Sequence, residues 1–333
     1  MTITKPHYYD SFRCLASACP DSCCREWDIQ VDEDAAAMYR SLPGPLGDRL
    51  RAVLTEEDGD TVMSIENGRC PMWREDGLCR IQAELGEKAL CKTCRDFPRL
   101  RHDYGDFVEL GLELSCPEAA RLILTASGCE TVTQQLPGGG EPGYDRDAMA
   151  VLKASRIMAF SILEDRTLGA GEALAVLLLY ACAVQEVLDG GEIGALSRTA
   201  ALDEARSLAQ PGKMEDILAL YQTLEILTPR WREALNAGPK DTPWEDVHRA
   251  LARYFVGRYW FQAVADYDLT CRVKFIVTSC LVIKALGGDI LQTAQLYSKE
   301  IENDADNVDA LLDGTYSSPA LADVKLLGLL LAA

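Results

Sequence analysis

The helical spacing of apolar residues is the clearest pattern in the chain, and it fills the part after residue 143. Apolar side chains recur there every three or four residues, which is the period of an amphipathic helix. The segments with this spacing are Asp145–Asp165, Gly171–Leu188, Ile193–Leu208, Met214–Leu227, Trp244–Val264, Asp268–Leu286 and Leu291–Leu312. They predict a bundle of about seven or eight helices. The longest uncharged apolar run, Ala173–Val184, is shorter than the ~20 residues that span a bilayer, and it predicts a buried helix.

Shorter elements joined by loops are predicted before residue 136. They are a helix over Ala35–Leu42 capped by Asp32, a strand over Thr61–Glu66, a hairpin of Leu100–His102 with Phe107–Leu114, and a helix from Pro117 through Leu124. The last helix is preceded by Ser115 and contains Glu118, which is the sequence pattern of a capping box.

The segment 136–143 (LPGGGEPG) separates these two patterns. Clustered glycine and proline cannot continue a helix or a strand, so the segment is predicted to be a linker. The expected organisation is a cysteine-rich region over 1–135, the linker over 136–143 and a helical domain over 144–333. The fold class predicted is mainly α, with a small cysteine-rich region containing a short β-hairpin, followed by an α-helical bundle.

The charge of the chain narrows the choice of partners. There are 33 Lys and Arg against 52 Asp and Glu, a formal net charge of −19. Such a surface repels nucleic acid and anionic membranes and favours a basic or lysine-bearing partner, although solubility alone also accounts for it. The first residues (MTITKPHYYDSFRC) lack the charged-then-apolar layout of a secretory signal. A cytoplasmic location, in which thiols stay reduced, is therefore expected.

Ten of the 13 cysteines lie before residue 144. They form Cys14-x4-Cys19-x3-Cys23-Cys24, Cys70-x8-Cys79 and Cys91-x2-Cys94, followed by Cys116 and Cys129. Reduced thiols at this density predict a metal site, and soft sulfur ligands select zinc, copper(I) or iron–sulfur clusters. The irregular spacing favours an iron–sulfur cluster gathered from several loops over a structural zinc site. A set of redox thiols without metal is the third interpretation.

Four cysteines are expected to stay outside the metal site. They are Cys129, Cys182, Cys271 and Cys280. The last three lie on apolar helical faces, where free cysteine packs as a small hydrophobic residue. Cys116, by contrast, stands at a predicted helix start, where the helix dipole and free N–H groups favour the thiolate.

Several motifs of the first region occur together in one known family. They are Tyr8-Tyr9-Asp10-Ser11-Phe12-Arg13-Cys14, Cys19-Pro-Asp-Ser-Cys23-Cys24, Gly68-Arg-Cys70-Pro71, Gly77-Leu-Cys79, Thr93-Cys94-Arg95-Asp96-Phe97-Pro98-Arg99 and Ser115-Cys116-Pro117-Glu118. In these motifs the chain resembles the bacterial flagellin lysine N-methylases over residues 7–124, and more weakly beyond. Part of the pattern is also similar to zinc- or iron-chelating cysteine-cluster proteins.

This resemblance implies an activity, cofactors and a set of ligands. It implies transfer of a methyl group from S-adenosylmethionine to lysine ε-amines of flagellin, in an enzyme with an iron–sulfur cluster of the 4Fe-4S type. The motif cysteines that it implies as metal ligands are Cys14, Cys19, Cys23, Cys24, Cys70, Cys79, Cys94 and Cys116. Cys91 falls outside the family pattern.

Phosphate-binding glycine motifs and His-Glu-x-x-His are absent from the sequence. The cluster is therefore the expected docking point of S-adenosylmethionine. Because methyl transfer needs a neutral amine, a carboxylate must accept its proton, and Glu26 and Glu113 lie beside motif cysteines. The competing hypothesis is a zinc- or iron-chelating or sensing protein that does no chemistry and recruits a partner through its helices.

Overall fold

The computed structural model describes residues 1–57, 59–192 and 197–332. The α-helices are α1 Glu33–Ser41, α2 Gly44–Val53, α3 Arg80–Leu85, α4 Lys92–Asp96, α5 Pro117–Thr125, α6 Arg146–Leu163, α7 Ala170–Leu188, α8 Arg198–Leu208, α9 Met214–Tyr221, α10 Pro229–Asn236, α11 Asp246–Tyr259, α12 Leu269–Leu286, α13 Ile290–Tyr297, α14 Ala305–Ser317 and α15 Asp323–Leu331. The strands are β1 Thr2–Pro6, β2 Ile29–Gln30, β3 Leu54–Glu57, β4 Asp60–Met63, β5 Arg99–Asp103, β6 Phe107–Leu112 and β7 Thr131–Gln135. The fold is mainly α, with a small β part.

The predicted hairpin exists, but it belongs to a larger sheet. Strands β5 and β6 pair antiparallel, and the four-stranded sheet has the order β5-β6-β1-β7. β1 pairs parallel with β6 and antiparallel with β7, so β1 lies inside the sheet, between these two strands. A second, three-stranded sheet has the order β2-β4-β3, and β4 occupies part of the predicted strand at Thr61–Glu66.

Two hydrophobic cores organise the molecule. The small core lies among the cysteine loops and is built on side chains such as Ile29, Tyr39 and Leu50. The large core joins the bundle to β6 and α5, through residues that include Phe107 and Ile123. The four-stranded sheet, α5 and the bundle therefore share one continuous core, although residues 136–143 separate the sheet from the bundle in the sequence. The domain boundaries given above stay a prediction.

Several of the long predicted helices are present. α6, α7 and α12 match their predicted segments closely, and α11 continues into a 3₁₀ turn over Trp260–Val264. The segment predicted as Ile193–Leu208 forms α8 from Arg198, capped by the Ser197 side chain, while residues 193–196 lie outside the described residues. α9 ends at Tyr221, before the predicted end at Leu227.

Other parts of the bundle differ from the prediction. The segment predicted as one helix over Leu291–Leu312 is divided into α13, a π-helix over Ser298–Glu302 and α14. Asp304 starts α14 afresh by accepting a hydrogen bond from the backbone N–H of Asn307. The short helices α10 and α15 were not predicted, because each has only two to three turns, too few to show a helical period.

Helix α7 is long and apolar enough to cross a membrane by length and composition alone. It packs against α6, α8, α12 and α15, and most of its side chains are buried in the large core. The buried helix predicted from Ala173–Val184 is therefore confirmed.

Candidate metal centre

Five thiols surround the small core. They are Cys24, Cys70, Cys79, Cys91 and Cys94. The backbone N–H of Cys70 donates to the carbonyl of Cys24 at 2.8 Å, and the two thiols hydrogen bond to each other. Cys91 and Cys94 also form a thiol–thiol hydrogen bond. Cys91 thus lies beside a motif cysteine, as its Cys-x2-Cys spacing indicates, although it falls outside the family pattern.

The other motif cysteines lie towards the bundle. Cys14 and Cys23 are exposed on the N-terminal loop, Cys19 is half-buried between them, and Cys116 is buried at the start of α5. Proximity to Cys19 and Cys23 is among the causes that raise the pKa of Cys116, so these thiols are neighbours. Cys23 also hydrogen bonds to Cys24, which connects this group to the five thiols of the small core.

The protonation state of Cys116 differs from the sequence-based expectation. Burial raises the pKa of its thiol to about 12, although the backbone N–H groups of Ala119 and Glu118 act in the opposite direction. Desolvation of the charged form therefore outweighs the helix terminus. The thiolate expected from the helix terminus alone was wrong. For Cys70 the hydrogen bond from Cys24 lowers the pKa, despite burial.

The predicted capping box at α5 was also wrong. Cys116 is the N-cap residue and makes no side-chain capping bond. Glu118 instead accepts two hydrogen bonds from the Arg121 guanidinium, at 2.8 and 2.7 Å. Within the described part of the chain, the buried Ser115 hydroxyl makes no hydrogen bond to Glu118 or to the first turn of α5. Because Glu118 forms a bidentate ion pair with Arg121, its carboxylate does not bind the helix N-terminus as a capping box requires.

The donor set fits a metal by its chemistry but is not assembled around one. Over residues 1–57, 59–192 and 197–332, no three His, Cys, Asp or Glu side chains converge closely enough to hold a metal ion. Neighbouring cysteine thiols on short loops are nevertheless suitable ligands for zinc or an iron–sulfur cluster. Metal binding would require these loops to move closer together.

A buried lysine connects the bundle to the cysteine loops. Lys299 lies in the π-helix with its side chain 1% exposed, and its Nζ is 2.8 Å from Glu26 Oε2 and 3.3 Å from Asp21 Oδ2. The ammonium also lies 4.7 Å from the ring centroid of Trp27. Glu26 has a φ of 73°, an unfavourable conformation for a residue with a side chain. Two carboxylates and an indole thus form an ammonium-binding pocket beside Cys19, Cys23 and Cys24.

Glu113, the other candidate base, belongs to a buried charge network. Its Oε1 is 3.4 Å from Arg258 Nη2, and Arg258 Nε is 3.3 Å from Glu302 Oε1. Tyr254 and Tyr259 donate hydrogen bonds to Glu302, each at 3.0 Å. Burial raises the pKa of Glu113, and Arg258 opposes the rise. The contacts of Glu113 are thus those of a structural ion-pair network.

Sequence reasoning found the cysteines and both glutamates but missed Lys299, Asp21 and Arg258. These residues acquire their partners from segments distant in the chain: 278 positions separate Lys299 from Asp21. Cys271 and Cys280 are buried, as expected, whereas Cys182 and Cys129 are half-buried.

Comparison with known proteins identifies relatives of this chain. The flagellar biosynthetic protein FliU of Salmonella muenchen is 34% identical over 137 residues, which cover 37% of this chain and 78% of FliU. The lysine-N-methylases of Salmonella choleraesuis and Salmonella typhimurium are each 35% identical, over 137 and 131 residues. These matches cover 37% of this chain but 33% of each methylase, so the chain matches about a third of their length.

No known family model matches the chain, and no solved structure matches it significantly. The identity to FliU and its coverage, together with the two methylases, agree with the resemblance in the cysteine motifs. The chain therefore belongs to the flagellin lysine N-methylase family.

Proposed function

We propose that the chain is an iron–sulfur-dependent lysine N-methyltransferase that uses S-adenosylmethionine and acts on flagellin. The observation that carries the proposal is the 35% identity to proteins named lysine-N-methylase. The acidic chain, with a net charge of −19, suits a lysine-bearing partner.

The motif cysteines would hold the metal. Cys24, Cys70, Cys79 and Cys94 would supply it with thiolates from the small core, and the group from Cys14 to Cys23 with Cys116 would supply the others. A bound iron–sulfur cluster would provide iron sites that can bind or orient a small polar ligand. Two four-sulfur centres are compatible with this number of thiols.

The pocket of Asp21, Glu26 and Trp27 is suited to the methyl acceptor. An indole and two carboxylates stabilise an ammonium group, and one carboxylate must remove a proton before the amine can act as a nucleophile. The Glu26 side chain is 35% exposed, whereas that of Glu113 is 14% exposed. Glu26 is therefore the better candidate for the proton acceptor, and its carboxylate is paired with Lys299.

Co-expression with flagellin from the same host tests the proposal. The wild-type chain should add ~14-dalton increments to flagellin lysines, because each methyl transfer replaces a hydrogen with CH₃. The Glu26→Gln variant should lose about 10²-fold or more of this activity, the usual contribution of a general base. Intact-mass and peptide mass spectrometry of the flagellin give the measurement.

The matched control is Glu141→Gln, at a carboxylate that is 96% exposed in the 136–143 segment, and it should methylate flagellin like the wild type. Methylation that is equal in Glu26→Gln and the wild type would remove Glu26 from the mechanism. Unmodified flagellin with a metal-loaded wild-type chain would instead favour the chelating or sensing function, which the burial of Cys70 and Cys91 in the small core also suits.

A further inference from the structure

A cavity of about 110 Å³ lies between the four-stranded sheet and helices α6 and α11. Its walls are largely apolar and include Leu100, Leu110, Leu112, Ile123 and Phe160. An apolar cavity of roughly 150 Å³ is enough to bind benzene, so this space can hold a fragment of a few heavy atoms. No motif cysteine lines the cavity, but Tyr254 and Arg258 on its wall contact Glu302, which lies in the same π-helix as Lys299.

Arg253 on α11 places a guanidinium on the cavity wall that forms no direct ion pair with a carboxylate among the described residues. One N–H of its guanidinium donates to the carbonyl of Ala126 at 3.0 Å. Arg156, on the same wall, is by contrast paired with Glu109, at 2.8 Å. Burial lowers the pKa of Arg253, with Glu164 opposing, so an anion placed beside it would be stabilised.

His102 on β5 contributes a second polar group without a partner. Its Nε2 is buried and makes no hydrogen bond within the described part of the chain, and the residue lines the cavity. Burial and the nearby Arg258 lower the pKa of the imidazole, which favours its neutral form. A neutral ring nitrogen can donate to or accept from a bound polar ligand. A buried polar atom that lacks a partner is costly unless a ligand or water supplies one.

Gly257 on α11 keeps the cavity open. A Cβ built at this position would have no atom within 4 Å apart from its neighbours and its own helix backbone. Glycine inside a helix costs about 1 kcal/mol relative to alanine, so local helix stability does not explain it. Because Gly257 lines the cavity, a large side chain there would fill the space.

We propose that this cavity binds a small carboxylate with an apolar body, the class to which the amino-acid end of S-adenosylmethionine belongs. The carboxylate pairs with Arg253, His102 Nε2 contacts the polar part, and the apolar body lies against the leucines. Only the identification of this ligand with the methyl donor, S-adenosylmethionine, rests on the proposed function. This placement differs from the sequence-based expectation of docking at the cluster, since Cys116 begins α5 while Ile123, near its end, lines the cavity.

Calorimetric titration of the full chain with S-adenosylhomocysteine, methionine and adenosine tests the proposal. The two ligands with a carboxylate should bind, and adenosine should not. Gly257→Leu and Arg253→Met should each weaken the binding of S-adenosylhomocysteine by about tenfold or more, through loss of space and of the charge-assisted bond. Gly257→Ala should raise the unfolding temperature and retain binding, and Arg146→Met, at an exposed arginine, should bind like the wild type.

Tighter binding of S-adenosylhomocysteine than of methionine identifies the methyl donor, whereas equal affinities identify a free amino acid as the ligand. The proposal is wrong if neither carboxylate binds, or if folded Gly257→Leu binds S-adenosylhomocysteine like the wild type. Flagellin methylation by the same preparations separates the two proposals. If the chain methylates flagellin but Gly257→Leu binds S-adenosylhomocysteine like the wild type, only the proposal for the cavity is wrong. If the chain binds the carboxylate ligands but does not methylate flagellin, only the proposed enzymatic function is wrong.

Discussion

Replacing Cys70 or Cys94 with serine should remove most of the bound metal. Both thiols belong to the group around the small core, and each hydrogen bonds to another cysteine there. A hydroxyl is a poor ligand for a soft metal, and loss of an outer partner alone commonly costs 10–100-fold in metal affinity. Loss of a ligand should cost at least as much. Metal analysis of the purified variants by mass spectrometry gives the result.

Cys280→Ser is the matched control. Cys280 is fully buried on α12 within the large core, away from the cysteine loops. The buried hydroxyl should lower the free energy of unfolding by about 1–3 kcal/mol while leaving the metal content unchanged. Cys271→Ser should cost less, because the thiol of Cys271 donates to the Leu312 carbonyl at 3.4 Å and a hydroxyl can do the same. Metal loss from a folded Cys280 variant would contradict the assignment of the ligands.

Arg258→Met should lower the free energy of unfolding by about 3–5 kcal/mol, because it leaves two carboxylates buried without their cation. Glu302 has a fully buried side chain, and Glu113 is 14% exposed. The network joins α11 to the end of the π-helix and to the segment before α5, so its loss would loosen the packing of the sheet on the bundle. Urea denaturation of the metal-free chain measures the effect.

The pH dependence of the stability of Arg258→Met shows whether the unpaired carboxylates cause the loss. The pKa of Glu113 is already raised by burial, and without Arg258 it should rise further. A carboxyl group with a raised pKa in the folded state binds a proton more tightly there than in the unfolded state, so the folded state is stabilised as the pH falls. The loss of unfolding free energy in Arg258→Met should therefore be smaller at about pH 5 than at about pH 8. Arg146→Met, at an exposed pair with Glu141, should leave stability nearly unchanged. If the loss of unfolding free energy does not change with pH, lost packing and not the unpaired carboxylates causes it.

Features that depend on neighbouring residues were predictable from the sequence. The Asp32 side chain accepts from the backbone N–H of Ala35 at 3.1 Å and starts α1, as its position before that helix indicates. The three- to four-residue spacing of apolar residues over long segments predicted the positions of α6, α7 and α12. The density of cysteines and the family motifs pointed to one region of the chain, and the metal ligands within it stay a prediction.

Features that depend on distant partners were not predictable in this way. Strand β1 is half-buried along its length and has no strong alternation, so only its pairing with β6 and β7 makes it a strand. The π-helix places Lys299 on Asp21 and Glu26 from the other end of the chain. Glu118 has the spacing of a capping box, yet Arg121 binds its carboxylate because a charged partner one turn away is the stronger competitor.

The cysteine centre is the central claim, and the iron and acid-labile sulfide content of anaerobically purified chain tests it most directly. We expect brown protein that contains both iron and sulfide and loses its colour in air. We expect the Cys70→Ser variant, purified in parallel, to be nearly colourless. Colourless wild-type protein with stoichiometric zinc would contradict the iron–sulfur assignment, and wild-type protein without bound metal would contradict the metal centre itself.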